Sequence, residues 1–165
     1  MEFDFSPLTR LMESDQSLVD ARNVLFGFAG DLPPQAAVIA CYLSFGDIGA
    51  IVEAVREADS VSVHDVADLD KWVRARRERY VAEGLAPIEF TLSQEPNKLL
   101  RRQAGKKLLD YWACADETGI VDAIDLAFGD LLAPTDKILC VASSLVFLEV
   151  MRGDEPLPKK DRGRD

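Results

Sequence analysis

Two apolar segments constrain this chain more than any other feature. From residue 35 to 45 almost every side chain is apolar, and so is nearly every one from 138 to 151. A helix that is apolar all round must be covered on several sides. These segments therefore predict two central helices, at about residues 35–45 and 135–152. The second is opened by Pro134 and closed by Gly153.

Amphipathic stretches surround them. Ser6 and Pro7 open a first helix in which Leu8, Leu11, Met12, Leu18, Val19, Leu25 and Phe26 recur at helical spacing. Ile48, Ile51, Val52 and Val55 predict a short helix after Gly46-Asp47. Ser62, with Asp65 three residues later, predicts the start of a helix that runs to about Glu83, with Gly84 as its stop. Residues 87–92 alternate apolar and polar and are expected to be an extended connector. A helix from about 96 to 115 and another over 120–131 complete the set. The expectation is an all-α fold: one globular domain over residues 1–153, with six or seven helices, two of them central. Residues 154–165 are charged and proline-containing and are expected to form a flexible tail.

A chain of 165 residues buries enough surface to fold without disulfide or metal. Cys41, Cys114 and Cys140 are odd in number and widely spaced, and Cys41 and Cys140 sit in apolar runs. They read as buried, reduced thiols, which suits the cytoplasm. The opening Met-Glu-Phe-Asp-Phe-Ser-Pro has neither a basic nor an apolar leader region. The longest uncharged apolar run falls far short of the ~20 residues that span a bilayer, so no membrane association is expected.

Charge is strongly segregated. The net charge is −10, which argues against direct nucleic-acid binding. Residues 1–70 carry 3 basic and 13 acidic groups, residues 71–107 carry 10 and 4, and residues 108–151 carry 1 and 8. Over half of the basic groups thus fall within residues 71–107. Lys71, Arg74 and Arg77 belong to one cluster, while Lys98, Arg102 and Lys106 repeat every fourth residue and would share a helix stripe. These six residues are the candidate surface for a protein partner. Asp116, Asp122, Asp125 and Asp130 form the candidate acidic surface.

Catalytic chemistry has little to stand on. His64 is the single histidine and is expected in the first turn of a helix, facing solvent. No phosphate loop, nucleophile elbow or zinc-binding motif occurs. The chain is therefore expected not to be an enzyme and to carry no cofactor or metal. The leading expectation is a helical interaction protein, an adaptor, assembly factor or inhibitor. Its basic patch would dock an acidic protein or a second copy of the chain. One alternative is an acidic decoy for the nucleic-acid site of another protein. The other is a helical ligand- or metal-binding domain.

Overall fold

The computed structural model describes residues 3–27, 37–55, 60–84, 89–129, 136–143 and 147–153. They fold into two antiparallel sheets with three helices. After helix α1 (Ser6–Glu13) come strands β1 (Asp20–Gly27), β2 (Ala37–Ser44), β3 (Gly49–Val55) and β4 (Ser60–Asp65). Helix α2 (Leu69–Ala82), strand β5 (Glu89–Pro96) and the short helix α3 (Lys98–Arg101) follow. Strands β6 (Lys107–Ala115), β7 (Val121–Gly129), β8 (Asp136–Ser143) and β9 (Phe147–Arg152) finish the described chain. The first sheet has the order β4-β3-β2-β1-β5 and the second β6-β7-β8-β9.

The sheets pack face to face. Cys41, Leu43, Val52 and Val63 from the first meet Ile124, Leu126, Phe128, Ile138 and Cys140 from the second in one core. Helix α2 covers the other face of the first sheet. Its Leu69, Trp72, Val73 and Tyr80 pack on Val24, Phe26, Ala40 and Ile51. The Tyr80 and Phe26 rings meet edge to face, 5.4 Å between centroids. Three layers result: helix, sheet, sheet.

This layering overturns the all-α expectation and explains it. A strand covered on both faces has no polar side, so its sequence loses the alternation that marks a strand and fits a helical period as readily. Strand β3 is buried from Gly49 to Ala54, and β7 at eight of its nine positions. The expected central helix at 35–45 is β2 over its described part, and the one at 135–152 is the pair β8 and β9. The amphipathic helices expected around them are likewise mostly strands: β1, β3, β4, β6 and β7. Only α1, α2 and the four-residue α3 are helical among the described residues, against the six or seven expected. The stretch at 87–92, expected as a connector, contributes to β5, which pairs with β1.

Local chemistry fixes the boundaries. The β2–β3 hairpin turns at Gly46, whose φ of +86° suits glycine, and Phe45 N–H donates to Ile48 C=O at 2.9 Å. Helix α2 starts at Asp68 rather than Ser62: the Asp68 carboxylate accepts from Lys71 N–H at 3.1 Å. His64 consequently lies in β4, opposite Ile51. Cys41 and Cys140 are buried thiols in the inter-sheet core, and burial pushes the Cys140 thiol up to about 12. Among the described residues no helix is long and apolar enough to cross a membrane. The segment expected as a flexible tail, 154–165, lies outside the described residues.

Candidate functional site

A cleft opens at one corner of the sandwich, where α3 meets the start of β8 and the end of β9. Asn97 caps α3 by accepting from Leu100 N–H at 3.1 Å, and the fully buried Leu100 side chain plugs into the inter-sheet core. The following turn reverses at Gly105, whose φ is +86° and whose N–H donates to Leu18 C=O at 2.9 Å. Arg102 and Gln103 are thereby held opposite Asp136, Lys137, Arg152 and Gly153. The cavity between them measures about 500 Å³, with Leu99 and Ile138 as its apolar wall.

The single carboxylate among the described residues that line this cleft is already engaged. Lys106 Nζ donates to Asp136 Oδ2 at 2.8 Å and to Gln103 Oε1 at 3.2 Å. The Lys106 ammonium holds the Asp136 carboxyl below its ordinary value, with smaller help from the Gln103 amide and Arg152. Gln103, only 3% exposed, is thus a buried bracket for this ion pair. Among the described residues, Arg102, Lys137 and Arg152 line the cleft with Asp136, and Lys106 braces it from the side, so basic groups outnumber acidic ones there on a chain of net −10. Lys137 also reaches over the Trp112 ring, its Nζ 4.8 Å from the centroid. Behind Gly153 lies Asp125, whose carboxyl is pushed upward by burial and drawn back by Lys137.

The structure divides the six basic candidates. Arg102 lines the cleft and Lys106 braces it, while Lys98 is exposed at the start of α3. Lys71, Arg74 and Arg77 are exposed on α2, in a different layer: α2 covers the outer face of the first sheet, whereas α3 is anchored between the sheets. Lys137 and Arg152 complete the cleft but lie outside the basic segment. Their proximity comes from the β8–β9 pairing, which sets Ile138 opposite Arg152. Seen as one long helix, those residues gave no such signal.

The three acidic candidates among the described residues do not share one surface. Asp116 Oδ1 accepts from Thr118 N–H, Thr118 O–H and Ile120 N–H, shaping the β6–β7 turn. Asp122 is buried, at 4% exposure. Asp125 is partly buried and sits across from Trp112 and Leu139. Asp130 lies outside the described residues. Among the described residues no group of three or more His, Cys, Asp or Glu side chains is placed to hold a metal ion.

A second polar cluster lies at the free rim of the first sheet, between β4 and α2. Glu53 is buried, and its Oε1 accepts from Arg76 at 2.7 Å and from His64 Nε2 at 2.8 Å. Ser62 Oγ lies 2.9 Å from the same His64 nitrogen. A hydroxyl–imidazole–carboxylate relay needs the hydroxyl on one ring nitrogen and the carboxylate on the other. Here both partners share Nε2, so the contacts orient His64 without giving Ser62 a base. The guanidinium of Arg76 also lies 4.9 Å above the Trp72 ring. The sequence reading missed this cluster. Its one local signal is Glu53, a lone carboxylate within the apolar residues 50–55.

The chain belongs to the family of unknown function DUF6334, whose model matches residues 21–152. The matched stretch contains β2 to β9, almost all of β1, and every residue lining the corner cleft except Gly153. Neither a curated protein nor a solved structure matches the chain.

Proposed function

We propose that this DUF6334 member is a non-catalytic cytoplasmic interaction module, and that it docks an acidic segment of a protein partner in the corner cleft. The observation that carries the reading is the convergence of Arg102, Lys137 and Arg152 on one cavity where Asp136, the one carboxylate among the described lining residues, is held by Lys106. Cationic groups around a low-dielectric concavity focus the field, and the net charge of −10 disfavours an acidic ligand over much of the remaining surface. The volume supports it too: about 500 Å³ against about 260 and 250 Å³ for the two cavities at the β4 rim. The buried thiols Cys41 and Cys140 support a reducing compartment. No observation favours the acidic decoy: of its carboxylates, Asp116 shapes a turn, Asp122 is buried and Asp125 is partly buried.

The test is fluorescence anisotropy with a fluorescein-labelled hexaglutamate peptide. Saturable binding that weakens with salt and is lost in the double variant Arg102→Glu, Arg152→Glu is the expected result. Binding unchanged by that variant would refute the reading.

A further inference from the structure

We infer that the β4 rim holds a second binding site, for a small uncharged ligand with an apolar body and one hydrogen-bonding head. Along β4, Val61 and Val63 point into the inter-sheet core, and the alternate residues Ser60, Ser62 and His64 face the other way. Two cavities flank them, of about 260 and 250 Å³, and both are lined by Val55, Ser62 and His64. The larger is walled by Phe3, Phe5, Val55 and Val63, with Ser60 beside them. The Phe3 and Phe5 rings stack with centroids 6.1 Å apart, giving that wall a flat aromatic surface.

Ser60 is the independent pointer to a ligand. It is 1% exposed, and its hydroxyl has no hydrogen-bond partner among the described residues. Buried polar groups are nearly always satisfied, so an orphan hydroxyl beside a cavity marks where a head group would bond. On the opposite side Arg76 Nε is a second buried donor without a partner.

The charges define the ligand class. Glu53 is answered by Arg76 and His64, and Arg79 pairs with Glu83 at 3.2 Å. Asp4, at the cavity mouth, already accepts from Ser6 N–H at 2.9 Å and disfavours an anion. A charged head at Ser60 would be buried against a single hydroxyl, which is too little to replace its hydration. The head is therefore a hydroxyl or an amide. An apolar cavity of about 150 Å³ holds benzene, so 260 Å³ accommodates a substituted single ring.

Benzyl alcohol is the probe, with toluene, benzoate and benzylamine as controls, followed by amide shifts in ¹H–¹⁵N spectra of the full chain. Saturable shifts at Phe5, Ser60, Ser62 and Val63 are expected, with benzyl alcohol bound about three- to tenfold more tightly than toluene. Ser60→Ala should bring the two affinities together, and Val55→Phe should fill the cavity and remove binding. If Val55→Phe fails to fold, the Ser60→Ala comparison stands alone as the test. Absence of saturable shifts at these amides, equal binding of the charged controls, or an unchanged preference in Ser60→Ala would each overturn the inference.

Discussion

Glu53 and Asp136 are each a carboxylate gripped by a basic side chain from another element, yet their surroundings give them opposite roles. The Glu53 side chain is 7% exposed and its partner Arg76 14%. Asp136 is 43% exposed and Lys106 23%. Around Glu53 the pairing is buried within the helix-to-sheet layer. Around Asp136 it leaves Arg102 and Arg152 lining an open cavity. The comparison teaches that a run of basic residues does not make a surface. Arg76 and Arg77 are adjacent in the sequence, but one is committed to holding α2 on the sheet and the other is exposed.

The largest expected effect separates the two carboxylates by stability. Glu53→Ala leaves the Arg76 guanidinium buried beside a void and is expected to cost about 3–5 kcal/mol. Asp136→Ala breaks a half-exposed, solvent-screened pair and is expected to cost under about 1 kcal/mol. Urea unfolding of the two variants checks this, and equal losses would erase the distinction.

Next comes binding. Charge reversal at Arg102 and Arg152 is expected to weaken hexaglutamate binding at least tenfold, about 1.4 kcal/mol. Reversal of Lys71, Arg74 and Arg77 should leave it nearly unchanged, because they stand on the helix in another layer. Anisotropy titrations of both triple and double variants decide the matter. A smaller change is expected for Asp136→Asn, which removes a carboxylate from the cleft lining: the same peptide should bind about two- to fivefold more tightly.

The smallest effects concern pH, and they run in opposite directions at two acids of the second sheet. Lys106 holds the Asp136 carboxyl below its ordinary 3.8. Its stabilisation is present above the unfolded value and is lost as pH falls through the folded one, so Asp136→Asn should flatten the acid limb of Tm below about pH 4. Burial raises the Asp125 carboxyl above 3.8. Stability then declines as pH rises from the unfolded value through the folded one, and Asp125→Asn should remove that decline. Thermal melts across the acid range read both.

The sequence carried the burial of the central segments but not their geometry. Apolar residues on both faces of β3 and β7 erased the alternation by which strands are recognised, and for β3 the cause is long-range: α2 covers one face and the second sheet the other. Residues whose partners lie nearby were more accessible. Gly84, expected to stop a helix, follows α2 with φ of +83°. Pro7, expected at the first helical position behind a Ser6 cap, lies at the second position of α1, and Phe5 rather than Ser6 is the N-cap. The candidate site shows the same limit. Arg102 and Lys106 stood out by spacing, but Lys137 and Arg152 join them only through the β8–β9 register, and Glu53 meets Arg76 only through the docking of α2.

On the proposed function the corner cleft, not the basic face of α2, receives acidic ligands. Side-chain guanidinium and backbone amide resonances, followed during a hexaglutamate titration at low salt, test it most directly. Saturable shifts at Arg102, Lys137 and Arg152 that fade as salt is added, with Lys71, Arg74 and Arg77 unmoved, are the expected result. Shifts concentrated on α2, or none at the cleft, would contradict it.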